Sequence, residues 1–268
     1  MNIIQRNFFR LLRSGALNEF VSLEPMSHYK WQQLGNLVVA QGVEPIAVKG
    51  MRNHTFDENA NFPAGYIDEL AHRVQLRANA PQPTPHLSNR VLNRRLRKIQ
   101  KGERHELDAS MTTLELLNII VRNTNHILNR GISLSGISEL GSFLRTRGDK
   151  VDFVKLETWL RRLHLQRMAQ LEGSILIDVF EFDQQEIPFV QQVEKDAYAL
   201  TLRTLTHAET DNSEEWHFRQ RRTGFVENNS RIMRRNLRRS IRYINYAPIE
   251  TSSNFIHNFA KSLAEIEE

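Results

Sequence analysis

No cysteine occurs among the 268 residues, which excludes disulfides, thiol nucleophiles and every zinc site built on thiolate. The chain also lacks any apolar run approaching the roughly 20 residues that a helix needs to span a bilayer. Its only apolar stretch near the start, Met1 to Leu17, is interrupted by Arg6, Arg10 and Arg13. A secretory leader has an uninterrupted apolar centre, so a cytoplasmic protein is expected. Otherwise the composition is ordinary: 40% hydrophobic and 25% charged residues rule out global disorder and collagen-like structure.

Acids are scarce where bases concentrate. Pro81 to Lys101 holds Arg90, Arg94, Arg95, Arg97, Lys98 and Lys101 and no acid. Trp216 to Ile244 holds nine arginines against a single acid, Glu227. The formal net charge is only +5, so the rest of the chain is net acidic. Arginine outnumbers lysine 28 to 8. A guanidinium makes planar, bidentate contacts to carboxylate and phosphate, whereas an ammonium is a hydrated point charge. The bias therefore suits either internal ion pairs or an anionic partner.

Hydrophobic periodicity reads as helix almost throughout. Ile4, Phe8, Leu11 and Leu12 share one helical face, and Gly15 is expected to end that helix. Ser27 predicts an N-cap and Gly42 a left-handed C-cap for a second helix. Val43 to Val48 fits a short strand or the start of another helix, and residues 53–66 read as a loop before a helix at 67–79. Pro81, Pro83 and Pro85 mark the clearest break, followed by a basic helix capped by Ser88. Thr112-x-x-Glu115 reads as a capping box, and Gly131 closes the helix it opens. Asp152 starts the next helix, the stretch from Met168 through Leu171 and Ile175 to Val179 continues the rhythm, and Pro188 is expected to begin another. The expected fold is all-α, a multi-helix bundle with room for one or two short strands. Its expected parts are an N-terminal helical segment over 1–80, a Pro-rich linker and basic helix over 81–110, and a C-terminal helical bundle over 111–268. The two helical parts are expected to pack together, because the first has too few helices to bury a core alone.

Catalytic motifs are missing as well. Gly136 to Ser142 has the glycine spacing of a phosphate loop but no lysine, and its glycines read instead as helix stops. Gly173-Ser174 with Asp178 and Asp183 has the wrong spacing for the paired carboxylates of polymerase-beta-type nucleotidyltransferases; Glu181 and Asp183 are two apart but follow too closely. His207 and His217 flank Glu214 without metal-ligand spacing, and His126 reads as a satisfied interior imidazole. No residue is assigned as catalytic, and no cofactor or metal is expected.

The basic helices carry the strongest local signal. At 100° per residue, Arg231, Arg234, Arg235, Arg238, Arg239 and Arg242 occupy an arc of roughly 140°, and Met233, Leu237, Ile241 and Ile244 a separate arc of roughly 80°. Arg94, Arg95 and Lys98 lie opposite Leu92, Leu96 and Ile99 in the same design. Such faces can follow a phosphate backbone, with Trp216, Phe218, Tyr243 and Tyr246 as nearby stacking surfaces. A solvated face, or pairing with the acidic remainder, is the plainer explanation.

Asn7-Phe-Phe-Arg-Leu-Leu-Arg-Ser-Gly15, Trp31 and Val39 to Ile46 resemble the opening helices of an uncharacterised nucleotidyltransferase family found mainly in Bacteroidetes. His126 to Gly136, Asp152 through Trp159 to Arg167, the turn from Glu186 to Phe189 and the basic tail are similar to its later helices. Where that family would carry its Gly-Ser turn and paired aspartates, this chain has the proline-rich break and the basic helix. The resemblance implies a shortened relative that keeps the helical scaffold without nucleotidyl transfer. Three functions follow as expectations: a non-catalytic binding or interaction protein with a protein partner, a nucleic-acid-binding protein using its arginine faces, and a degenerate nucleotidyltransferase around Glu181 and Asp183.

Overall fold

A computed structural model describes residues 1–77, 84–103, 110–206 and 229–264, with side chains described at all of these except 75–77, 110, 229–233 and 261–264. Twelve α-helices account for most of them, and no strand occurs among the described residues. In chain order these are α1 (Ile3–Leu17), α2 (His28–Gln41), α3 (Glu44–Asn53), α4 (Tyr66–Arg77), α5 (Arg90–Glu103) and α6 (Ser110–Arg130). There follow α7 (Leu134–Arg147), α8 (Phe153–Leu163), α9 (Gln166–Phe180), α10 (Ala197–Thr206), α11 (Asn229–Tyr243) and α12 (Pro248–Ala264). The all-α reading therefore stands, and the Val43–Val48 stretch is the start of a helix, with Val43 as the N-cap of α3. No helix among the described residues is long and apolar enough to cross a membrane.

One buried cluster runs from Phe8 to Ala247 and joins helices on both sides of the proline-rich break. Fully buried Phe8, Leu11 and Leu12 of α1 meet the core of α7 and α9, so the early helices add to a shared interior. Pro81 and Pro83 lie outside the described residues; Pro85 lies within them and precedes α5.

Several local expectations are corrected. Gly15 does not end α1, which runs to Leu17 and stops at Asn18 with φ 57°. Gly15 instead lets α1 and α3 touch: a methyl there would lie 1.9 Å from the Ile46 carbonyl oxygen. Ser27 occupies the N-cap position of α2 but its side chain makes no capping bond. Thr112 and Glu115 lie inside α6, which starts at Ser110; Glu115 pairs with Arg147 at 2.6 Å instead of closing a capping box. Gly136 and Gly141 stop nothing, because both lie within α7 and make room for Asn123, Leu176 and Phe182. Gly131, at φ 100°, does close α6, and Gly42, at φ 64°, closes α2.

Pro188 does not begin a helix either; the next one starts at Ala197. Buried Ile187 and Val190 dock the intervening segment against Gly173, where a Cβ would meet Val190 Cγ2 at 2.3 Å. That docking holds the chain in turns, and Ser174 Oγ fixes it by accepting from the Glu194 N–H at 2.9 Å.

Candidate functional site

The six cations of the first basic segment all belong to α5 and are all exposed, while Leu92, Leu96 and Ile99 on the opposite side are buried. This is the amphipathic division that the spacing predicts. Among the described residues, no carboxylate lies within ion-pair distance of Arg90, Arg94, Arg95, Arg97, Lys98 or Lys101. Arg95 has one structural duty: its guanidinium donates to the Arg162 carbonyl oxygen at 2.9 Å, near the negative pole of α8. That bond ties α5 to α8 and brings the exposed Arg162 beside the basic ridge.

The arginine helix α11 divides differently. Arg234 and Arg238 are exposed, and Arg235 and Arg242 are half-buried, the Arg242 guanidinium lying 6.0 Å from the Tyr243 ring centre. Arg239 is buried and donates to the Asn129 carbonyl oxygen. The side chain of Arg231 lies outside the described residues, as do Trp216, Phe218, His207, Glu214 and His217. Of the predicted apolar arc, Leu237 and Ile241 of α11 and Ile244 just past its end are exposed, the side chain of Met233 lies outside the described residues, and Tyr243 is buried. The helix thus turns the edge between its two arcs inward, where α6 offers a carbonyl for a guanidinium. The two arginine faces are therefore not equivalent, since α11 buries Arg239 inside the fold and α5 buries none of its cations.

A third feature escapes the charge pattern altogether. A cleft of about 450 Å³ opens between α6, α7 and the segment before α5; the described residues lining it are polar apart from Gly136, and the carbon parts of their side chains make up more of its surface than their polar atoms do. Its back wall is a buried hydrogen-bond network. Asn123 donates to the Gly136 carbonyl oxygen at 3.1 Å and to Glu172 Oε2 at 3.2 Å, and Thr124 donates to Glu172 Oε1 at 3.3 Å. Glu172 is wholly buried, and burial pushes its carboxyl well above the ordinary range despite those two bonds. Gly136 is required here, because a Cβ would sit 2.1 Å from Asn123 Oδ1.

Across the cleft Arg122 pairs with Glu139 at 2.5 Å, joining α6 to α7. His126 shares a hydrogen bond of 2.9 Å between Nδ1 and the Gly131 carbonyl oxygen. A carbonyl only accepts, so Nδ1 carries the proton and Nε2 remains an acceptor. Burial, with Arg130 and Arg239 nearby, holds this imidazole below its ordinary pKa. Asn129 Oδ1 accepts from Asn254 at 3.1 Å and from Asn258 at 2.8 Å, latching α12 to α6. The sequence signal was present: Arg122, His126, Asn129 and Arg130 recur at i, i+4, i+7 and i+8, a polar stripe within an apolar helix.

The residues weighed as remnants of a nucleotidyltransferase site have ordinary structural roles. Gly173-Ser174 lies inside α9 rather than in a turn. Glu181 is the left-handed C-cap of that helix and pairs with Arg13 at 2.5 Å. Asp183 caps the short 3-10 helix Gln184–Glu186. No group of three metal-ligating side chains converges among the described residues. No family model matches the chain, and no curated protein or solved structure is found to be similar to it.

Proposed function

We propose that this is a cytoplasmic, non-catalytic helical binding protein whose α5 ridge engages the phosphate backbone of a nucleic acid. The observation that carries the reading is the row of six exposed cations on α5 without a carboxylate partner among the described residues. Arginine and lysine left in water on one helical face lose little on meeting phosphate and release its counterions in doing so. Arg90 to Lys101 spans eleven helical steps, or about 16 Å, a length over which duplex DNA carries about ten charges. Several cations can therefore be matched at once. As a shortened relative of the resembled nucleotidyltransferases, the protein would keep a helical scaffold and use it for binding alone.

Fluorescence anisotropy with labelled single-stranded and duplex oligonucleotides at several salt concentrations tests the binding. The expected result is affinity that falls steeply with salt; absent or salt-insensitive binding overturns the reading. Metal-dependent incorporation of labelled nucleotide by the purified protein would overturn the non-catalytic part.

A further inference from the structure

Helices α11 and α12 turn polar side chains inward and apolar ones to solvent. We infer that their outer face rests on the surface of an anionic lipid bilayer, as a peripheral contact that does not span it.

Both helices are fixed to the same residue of α6. Arg239 donates to the Asn129 carbonyl oxygen, and Asn254 and Asn258 donate to Asn129 Oδ1 at 3.1 and 2.8 Å. Glu250 of α12 is buried too, and accepts from the Asn89 N–H at 3.1 Å. At 100° per residue, Leu237 and Ile241 each lie roughly 160° around α11 from Arg239. On α12 the midpoint of Ile249 and Ile256 lies roughly 170° from that of Asn254 and Asn258. All four aliphatic side chains are exposed, Ile241 at 61% and Ile256 at 64%, as is Ile244 in the turn between the helices. The helices also pack on each other, so both apolar sides face away from α6 together. A clustered apolar surface of this kind marks a contact.

Charge decides what the contact is. Residues 229–264 contain a single acid, Glu250, and its carboxylate is turned inward. Arg234 and Arg238 are exposed on one flank of the α11 arc, and neither is within ion-pair distance of a carboxylate among the described residues. A second copy meeting this face about a two-fold axis would set cations against cations with no acid to pair them. A nucleic acid would accept the arginines but not the aliphatic side chains, which neither stack on bases nor donate to phosphate. An anionic bilayer accepts both. The aliphatic side chains enter the acyl boundary, and the guanidinium groups reach lipid phosphate and carboxylate with their stems lying along the interface.

Co-sedimentation of the full chain with vesicles tests the inference. Vesicles of equal parts phosphatidylserine and phosphatidylcholine should bind it at least tenfold more tightly than phosphatidylcholine alone. The chain has no cysteine, so Ile241→Cys places an environment-sensitive dye at one site. Its emission should shift to the blue on the anionic vesicles, whereas the same dye at Lys98→Cys on α5 should not shift. Leu237→Ser with Ile256→Ser should weaken binding at least tenfold, and Arg234→Ala with Arg238→Ala at least fivefold. Circular dichroism reports whether each variant is folded; if the serine pair fails to fold, the dye and the arginine pair decide. No vesicle binding, equal binding to both vesicles, or a silent dye at 241 overturns the assignment. A dimer in sedimentation equilibrium that the serine pair converts to monomer assigns the face to a second copy and overturns it as well.

Discussion

Glu172 of α9, wholly buried, meets Asn123 of α6 at 3.2 Å behind the wall of the cleft, 49 residues away in sequence. A carboxylate in that position would be costly, so the folded state holds Glu172 protonated above its ordinary titration range. The sign of the linkage follows. The folded chain binds one more proton than the unfolded chain between the ordinary value of 4.5 and the raised value, so stability falls as pH rises through that window. The loss reaches about 1.4 kcal/mol for each pH unit. Glu172→Gln keeps the shape and cannot ionise. Urea unfolding of both proteins from pH 5 to pH 8 should show the wild type losing stability relative to the variant; parallel curves would count against a neutral Glu172.

Helices α1 and α3 cross on a pair of glycines. A methyl on Gly15 would lie 1.9 Å from the Ile46 carbonyl oxygen, and one on Gly50 would lie 2.2 Å from the Leu11 carbonyl oxygen. Backbone cannot yield as a side-chain tip does, so either substitution by alanine forces the helices apart. Gly15→Ala and Gly50→Ala should each cost about 2–4 kcal/mol. Gly102, late in α5, has nothing within 4 Å of its added Cβ, and Gly102→Ala should stabilise by about 0.5–1 kcal/mol. Equal effects at all three positions, measured by denaturant unfolding, would contradict the close crossing.

The same glycines explain how much was legible in the sequence. The 3.6-residue rhythm of Leu114, Leu117, Val121 and Leu128 specifies a helix and its buried face, because burial of a stripe is a local property. A glycine inside such a rhythm has two readings, a left-handed stop or a place where a neighbouring backbone or side chain packs too closely for a Cβ. Gly42 and Gly131 are stops; Gly15, Gly136, Gly141 and Gly173 are close approaches. Only the partner element distinguishes them, and that partner is distant in sequence. Glu172 is similar: it stands in an apolar register, but its meaning depends on Asn123 and Thr124, which lie 49 and 48 residues away. The cleft was hidden for that reason, since half of its wall comes from elements other than α6.

Amphipathicity identified two arcs on α11 without saying which one enters the fold. The buried edge carries Arg239 and Tyr243, while Ile241 remains 61% exposed. Ile241→Ser should therefore change stability by no more than about 0.5 kcal/mol, as at an ordinary surface position. Tyr243→Ala, which empties a fully packed site, should cost about 3–5 kcal/mol. Thermal or urea unfolding checks both, and a large loss at Ile241 would mean that the apolar arc is the packed one.

The α5 ridge makes a quantitative prediction about salt. On B-DNA each phosphate contact contributes about 0.9 to the slope of log affinity against log salt, so a triple variant Arg94→Ala, Arg97→Ala, Lys98→Ala should lower that slope by about 2.7. These side chains are exposed and make no ion pair among the described residues, so their removal should leave the melting temperature almost unchanged. Arg234 and Arg238 are exposed as well, but they belong to a helix whose partner arginine is committed to the Asn129 carbonyl. Arg234→Ala with Arg238→Ala should leave the slope within error of the wild type. A slope that falls with the second pair and not with the first would move the interface from α5 to α11, and a fall with both would join the two helices into one binding surface.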